Sequence, residues 1–280
     1  MNTNIKVIVF PDIHGRTFWK EALKKYPEND YPDIQIIFLG DYLDPYTSYD
    51  GISKADAFAN FEEILDLKDK RVQLLIGNHD WHYFVNLDTC RMDMDRYKDI
   101  EHMFKENINR FRVHKIIEIN GTQFLFTHAG ITQSYLDSVA SLAENTYNTI
   151  AKKGIENYKD EDLKWIEEMS IINETYNFEL FEKCLQNYDQ PFYSAPLSMI
   201  SRERGGRNPY GSLIWADVYE HVWDEDLKDY YQVFGHTITF PTGPKDYAIS
   251  YNKHNWAMID SSQAFIIDDK GEIKPFNLNY

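Results

Sequence analysis

The chain has 280 residues, of which 43% are hydrophobic and 26% are charged, and its formal net charge is −16. This length and composition are typical of a globular protein with a large core, and no apolar run approaches the ~18 residues of a membrane-spanning helix. The negative charge argues against binding to long nucleic acids, which depends on neutralising phosphates, but leaves small phosphorylated substrates open.

The N-terminus and the cysteines favour a cytoplasmic location. The opening residues MNTNIKVIVF enter an apolar run without a basic stretch or a small-residue cleavage site, so we expect no secretory signal. Two cysteines, Cys90 and Cys184, do not make a disulfide framework. We expect both to be buried free thiols in a reducing compartment.

The first part of the chain alternates predicted strands with predicted helices. Ile5–Phe10, Ile34–Leu39 and Val72–Ile76 are short apolar runs rich in Val and Ile, which is typical of strands buried on both faces. Helical patterns occupy Trp19–Tyr26 and Ser53–Leu67, the second of which opens with capping-box spacing. The order strand–helix–strand–helix–strand favours a parallel sheet in an α/β fold.

A β-hairpin is the strongest local prediction further along the chain. In KIIEINGTQFLFTH, two apolar runs flank Asn120–Gly121, a dipeptide that suits a type I′ turn. Strand patterns return near the C-terminus, before a closing turn at residues 269–271. These strands are predicted at Tyr231–Gly235, Trp256–Asp260 and Ala264–Ile267.

Helical patterns dominate the stretch between the hairpin and the late strands. They cover Ser138–Lys152, Asp160–Ser170 and Glu174–Asn187, and a Gly- and Pro-containing loop follows at residues 205–209. There is no repeat and no linker composition. We therefore expect one domain over residues 1–280, with a mostly helical insertion or cap at about residues 131–230.

Residues able to bind metal follow the predicted strands, at the end where each strand finishes. They are Asp12, His14, Asp41, Asp44, Asn78, His79, His128 and His236. In open α/β sheets the carboxyl ends of strands form the ligand-binding edge, so we expect these side chains to converge. Oxygen and imidazole ligands without cysteine suit divalent ions such as Mn, Fe, Zn or Co. Two Asp, one Asn and three His from this set would make six ligands, which suit two ions rather than one.

The five segments that carry these residues resemble the motifs of calcineurin-like metallophosphoesterases, within them the serine/threonine-protein-phosphatase-like branch of bacterial and phage type. The chain has PDIHG, GDYLDPY, GNHD, HAG and GHT in the family order, and MIDSS at 258–262 resembles the I-D-T-G strand end of that branch. The resemblance implies a sandwich of two mixed sheets flanked by helices. The single histidine of GHT favours the phosphatase-like branch over the nuclease-like one.

The resemblance also implies a role for each motif residue. The metal ligands would be Asp12, His14, Asp41, Asn78, His128 and His236. Asp41 would bridge two divalent ions, and a hydroxide held between them would attack phosphorus. His79 would protonate the leaving oxygen, and Asp44 would hold its imidazole in the required tautomer.

One position departs from the family in a way that matters for substrate binding. Pro45 stands where the family has an arginine that grips the substrate phosphate through its planar fork of donors. The Gly-rich segment SRERGGR offers replacements, and we predict that Arg204 or Arg207 serves. Arg16, next to the first motif, is a further candidate.

The resulting hypothesis is a di-metal phosphomonoesterase acting on a small phosphorylated substrate or a phosphoprotein, without nucleic acid or membrane partners. Its first alternative is a phosphoanhydride hydrolase of the dinucleoside polyphosphatase type. The second is a non-catalytic scaffold with a phosphoesterase fold, for which the missing arginine at Pro45 is the only support.

Overall fold

The computed structural model describes residues 4–87, 91–238 and 254–276, and Cys90 lies outside them. The strands are β1 Ile5–Phe10, β2 Gln35–Phe38, β3 Val72–Leu75, β4 Phe111–Arg112, β5 His114–Ile119, β6 Thr122–Thr127, β7 Tyr230–Phe234, β8 Trp256–Met258, β9 Phe265–Asp268 and β10 Ile273–Pro275. The helices are α1 Phe18–Lys25, α2 Thr47–Asp50, α3 Lys54–Leu65, α4 Asn78–Val85, α5 Tyr97–Glu106, α6 Gln133–Lys153, α7 Asp160–Met169, α8 Ile172–Thr175, α9 Glu179–Gln186, α10 Pro191–Leu197 and α11 Val218–Trp223.

The strands form two mixed sheets. The first has the order β10-β9-β1-β2-β3-β4, in which β1 to β4 are parallel and β9 runs antiparallel to β1 and β10. The second has the order β5-β6-β7-β8, in which β5 and β6 form an antiparallel hairpin and β7 and β8 continue parallel to β6. At the hairpin turn Asn120 and Gly121 have φ of 51° and 77°, as a type I′ turn requires. The predicted hairpin and the predicted pair of mixed sheets are both confirmed.

The core explains why the strands have continuous apolar sequences. Val7 and Val9 face the second sheet, where they pack in one cluster with Phe126. Ile8 and Phe10, which alternate with them along β1, pack in the cluster formed with the helices. A strand covered on both faces has no solvent side, so its sequence shows no polar alternation.

Six helices, α6 to α11, lie between β6 and β7 in sequence. The Trp81 indole N–H donates to Ser198 Oγ at 3.0 Å, which ties the loop after α10 to α4. Cys184 on α9 is a buried free thiol, as expected. In the described part of the chain, no helix combines the length and hydrophobicity that crossing a membrane requires.

The predicted single helix over Glu174–Asn187 is wrong. The chain makes α8 and α9 with a break at Tyr176, whose φ is 48°. The Tyr176 hydroxyl donates to the side-chain oxygen of Gln133 at 2.8 Å, so a contact with α6 accompanies the break. Helices α2, α4, α5, α10 and α11 were not predicted, and neither were the short strands β4 and β10.

Candidate active site

The first part of the site is built on the loops after β1 and β2. One ligand atom from each of Asp12, His14 and Asp41 lies within 4.8 Å of the others, and all three residues are buried. The His14 Nδ1 lies 2.7 Å from the Leu43 carbonyl oxygen, to which it donates as the protonated nitrogen. This directs His14 Nε2 towards Asp41, where it lies 3.5 Å from Oδ2.

The second part of the site lies where β3, β6 and β7 end. His128 Nε2 is 3.0 Å from Asn78 Oδ1 and 3.1 Å from His236 Nδ1, so three possible ligand atoms converge. Asp41, His128 and His236 also form a group whose ligand atoms all lie within 4.8 Å. Asp41 therefore belongs to both groups. The structure brings all six residues predicted as ligands into one buried cluster.

The Asp80 carboxylate fixes the loops of the first sheet relative to each other. It accepts hydrogen bonds from the backbone N–H groups of Gly77 at 2.9 Å, Asp41 at 2.7 Å and Tyr42 at 3.0 Å. The end of β3 is thereby locked to the loop that presents Asp41. Asp80 is the last residue of the GNHD motif, to which the sequence alone assigned no role.

Two glycines allow backbone to approach the ligand carboxylates closely. A Cβ on Gly77 would lie 2.1 Å from Asp41 Oδ1, and a Cβ on Gly235 would lie 2.3 Å from Asp12 Oδ1. The same oxygens accept backbone N–H bonds at 2.9 Å, Asp41 from His79, two residues after Gly77, and Asp12 from His236, directly after Gly235. The glycines in GNH and GH are therefore explained by space for a ligand carboxylate.

Several site residues have strained backbone conformations. His14, Asp41, Asp44 and His236 have φ of 43°, 54°, 58° and 69°, in the left-handed region that L-residues rarely adopt. Each such residue costs on the order of 1–3 kcal/mol, and such strain is concentrated at functional sites. The hydrogen bonds of the motif loops hold these conformations.

His79 and Asp44 form a pair beside the cluster. His79 Nδ1 lies 2.9 Å from Asp44 Oδ2, and the other carboxylate oxygen of Asp44 accepts a hydrogen bond from the Tyr83 hydroxyl at 2.7 Å. The His79 and His14 rings meet edge to face with centroids 5.3 Å apart. Since Nδ1 faces a carboxylate, the neutral ring carries its proton there and has its lone pair at Nε2. Tyr83 is a positioning residue that sequence analysis missed.

Arg204, one of the two predicted phosphate-binding residues, lies at the His236 side of the cluster. Its guanidinium donates to the hydroxyl of Thr237 at 2.5 Å and pairs with Asp217 at 2.9 Å. Arg207 is exposed and makes no contact with the cluster in the described part of the chain. The geometry favours Arg204 over Arg207.

Two more arginines lie around the cluster, at different edges. Arg16 donates to the Asp12 carbonyl oxygen at 3.3 Å and pairs with Asp50 at 2.8 Å. Arg91 places its Nη2 2.8 Å from His79 Nε2. Sequence analysis did not identify Arg91, because it belongs to no motif and follows no strand.

The MIDSS segment reaches the same edge after β8. The N–H of Ile259 donates to the Phe234 carbonyl oxygen at 2.8 Å, and Asp260 is buried next to the cluster. Burial, and then the charge of Asp12, raise the pKa of Asp260 well above its usual value. A carboxyl group in this position is stabilised by any cation that the cluster binds.

Burial dominates the protonation of the cluster. It lowers the pKa of His14 and of His236 well below the usual value, and it also lowers the pKa of His128. Burial raises the pKa of Asp41 to about 7, an effect that His79 opposes and Asp12 strengthens. Neutral imidazoles offer lone pairs, and crowded carboxyl groups favour a bound cation.

The residues fit divalent metal ions. His14 and His128 both place Nδ1 against a backbone carbonyl, of Leu43 at 2.7 Å and of Leu39 at 2.9 Å, which leaves Nε2 as the ligand atom. Outer hydrogen bonds of this kind orient metal-binding histidines. His236 Nε2 is buried and has no hydrogen-bond partner in the part of the chain that the structure describes. Oxygen and nitrogen ligands of this kind accept several first-row ions.

Comparison with known proteins identifies the family. The model of the calcineurin-like phosphoesterase family matches residues 5–240, which includes every residue of the cluster. The chain belongs to the calcineurin-like phosphoesterase family. It is accordingly a metal-dependent phosphoesterase, and the resemblance inferred from the five motifs is confirmed.

Solved structures similar to this chain include two phosphatases. One is a cold-active protein-tyrosine phosphatase of a psychrophilic Shewanella species, at 14% identity and a TM-score of 0.43, covering 98% of this chain and 81% of that one. The other is a protein serine/threonine phosphatase from Saccharomyces cerevisiae, at 13% identity and a TM-score of 0.43, covering 99% and 81%. No curated protein matches the chain.

Proposed function

We propose that this phosphoesterase is a phosphatase that hydrolyses phosphate monoesters with two divalent ions, manganese among those suited to the ligands. The observation that supports this best is the position of Asp41 in two ligand groups, one with Asp12 and His14 and one with His128 and His236. A carboxylate with ligand atoms on both sides suits a bridging ligand between two ions.

The proposed ligands divide according to these two groups. Asp12 and His14 would hold one ion, Asn78, His128 and His236 the other, and Asp41 both. When bound, such ions activate the attacking water and neutralise charge on the phosphate.

His79 is the proposed general acid. Asp44 holds Nδ1 at 2.9 Å, which fixes the ring so that Nε2 delivers the proton to the leaving oxygen. Asp44 is buried in the loop after β2, and the hydroxyl of Tyr83 on α4 donates to its carboxylate, so that carboxylate is held in place and serves as the positioning group.

The cations around the site favour a monoester dianion as the substrate. The chain carries a net charge of −16, yet three arginines lie around the cluster. Arg204 at the His236 side is the proposed contact to one phosphate oxygen, and Arg207 stays a prediction without geometric support. A phosphoprotein and a small phosphorylated metabolite present the same dianion, so both belong to the proposed substrate class.

A substrate panel with manganese-loaded protein tests the proposal. The panel contains p-nitrophenyl phosphate, phosphoserine and phosphotyrosine peptides, phosphorylated metabolites, bis-p-nitrophenyl phosphate and a dinucleoside tetraphosphate. We expect the highest kcat/KM among the monoesters. Preference for the dinucleoside compound would favour the anhydride hydrolase, and absence of all turnover with metal bound would favour the non-catalytic scaffold.

A further inference from the structure

Arg91 is a cation directly beside the proposed general acid. Its Nη2 lies 2.8 Å from His79 Nε2, and its Nη1 donates to the Asp44 carbonyl oxygen at 2.6 Å. The residue is only partly exposed. It also has φ of 72°, a strained left-handed conformation of the kind found at functional sites.

The charge of Arg91 is not neutralised in the way that the charges of its neighbours are. Arg16 pairs with Asp50 and Arg204 pairs with Asp217. No carboxylate pairs with Arg91 among residues 4–87, 91–238 and 254–276. Half-buried guanidinium groups favour anionic partners, so the Arg91 guanidinium is suited to bind an anionic ligand.

An aromatic face supports the Arg91 guanidinium. Its central carbon lies 3.5 Å from the centroid of the Tyr46 ring, within the range of a cation–π interaction. Tyr46 is held in turn by an edge contact with the His14 ring, at 5.1 Å between centroids. A guanidinium that rests on a ring face can shift without breaking an ion pair.

Arg91 lies close to Pro45, the position at which the related family has an arginine and this chain has none. Asp44, whose carbonyl accepts the Nη1 hydrogen bond, is the residue immediately before Pro45. The guanidinium therefore reaches the neighbourhood of position 45 from a different segment of the chain, and Pro45 itself has no donor to offer.

The contact with His79 cannot persist during the reaction. His79 Nδ1 faces the Asp44 carboxylate, so Nε2 accepts the hydrogen bond from Arg91. A general acid must present a proton at Nε2, and Arg91 Nη2 occupies the space that the leaving oxygen needs. Substrate must therefore displace Arg91 from His79.

We propose that Arg91 binds the substrate phosphate, and that it exchanges His79 Nε2 for a phosphate oxygen when the substrate enters. The proposal rests on the proposed function, since it names the cation that recognises the monoester dianion. The exchange clears the space in front of His79 Nε2 for the leaving oxygen. Tyr46 is the surface along which the guanidinium moves.

The test compares Arg91→Ala, Arg91→Gln and Arg91→Lys with wild type, all loaded with manganese. Two quantities are measured: the dissociation constant of inorganic phosphate by calorimetry, and kcat/KM for p-nitrophenyl phosphate. Arg112→Ala is the matched control, because Arg112 is exposed and, among the described residues, its side chain bonds only to the backbone carbonyls of Asn109 and Phe111.

We expect Arg91→Ala and Arg91→Gln to weaken phosphate binding and lower kcat/KM by about ten- to a hundred-fold, with metal content unchanged. Lysine should restore only part, because it lacks the planar fork. The control should stay within twofold. If the alanine variant does not fold, the glutamine variant decides, because it keeps a long polar side chain at this position while removing the charge and the guanidinium.

Phosphate affinity within twofold of wild type in both uncharged variants would overturn the proposal. A change in kcat alone, at constant phosphate affinity, would also overturn it, because Arg91 would then act only through His79. Because calorimetry measures phosphate binding without turnover, it tests the role of Arg91 independently of the proposed phosphatase activity. Wild type that binds phosphate but turns over no monoester would refute the function and leave the role of Arg91 standing.

Discussion

The two sheets contribute to the active site in different ways. The first sheet supplies the carboxylates and holds them with its own loops, through the three N–H bonds to Asp80 and the backbone bond from His14 to Asp41 at 2.6 Å. The second sheet supplies His128 and His236, and atoms of the first sheet orient both. The Leu39 carbonyl holds the His128 ring, and the Asp12 carboxylate accepts the N–H of His236. The loops of the first sheet therefore act as the template on which the histidines of the second sheet are positioned.

Replacing the shared ligand should have the largest effect. Asp41→Asn removes the one charge common to both ligand groups, so we expect loss of both ions or of nearly all activity. Elemental analysis of protein purified without chelator, together with p-nitrophenyl phosphate turnover, measures both. Asp268→Asn, another buried aspartate at the end of a strand, should keep the wild-type metal content. Full activity of Asp41→Asn would refute a di-metal centre.

The general acid should be separable from the ligands, although His79 is the direct neighbour of Asn78. His79→Asn should lower kcat by about 10²–10⁴-fold while the metal content stays near that of wild type. The loss should be smaller for p-nitrophenyl phosphate, whose leaving group needs no proton, than for an alkyl phosphate. Equal losses across leaving groups would argue against the acid role, and loss of metal would make His79 a ligand.

The template role of the first sheet predicts a smaller effect, on stability. In Asp80→Asn an amide replaces a carboxylate that accepts three buried N–H groups, so the free energy of unfolding should fall by about 1–3 kcal/mol. Urea unfolding in the presence of chelator measures this without a contribution from metal binding. Asp56→Asn is the matched control, because Asp56 also accepts the N–H of a helix N-cap, Ser53, but is exposed. An equal loss in both variants would contradict a special role for Asp80.

Much of the site could be predicted because each ligand directly follows a strand. Apolar runs such as Ile5–Phe10 locate the strands, parallel order brings their ends together, and the polar residues after them must then meet. The same patterns could not show α4, because Asn78 to Phe84 are all buried, and the polar motif residues Asn78 and His79 are among them. A helix made of functional residues does not display an amphipathic period.

Arg91 and the break at Tyr176 were missed for a related reason. Each depends on a contact with a residue distant in sequence, Arg91 with Tyr46 and Tyr176 with Gln133. Each also has a left-handed backbone conformation without being glycine. Local propensity carries no information about such contacts, because tertiary structure overrides it.

At Gly77, the added methyl group of an alanine is expected to impair the active site while leaving the fold intact. Its φ of −99° and ψ of 176° are ordinary extended values, so nothing in the backbone conformation demands glycine. An alanine there would satisfy the local backbone preference, yet its Cβ would lie only 2.1 Å from Asp41 Oδ1, closer than two such atoms can approach. Glycine is therefore needed at this position because the Asp41 carboxylate occupies the space that a side chain would fill. A substitution of Gly77 is therefore expected to displace the Asp41 carboxylate and to remove the activity, even where the chain still folds.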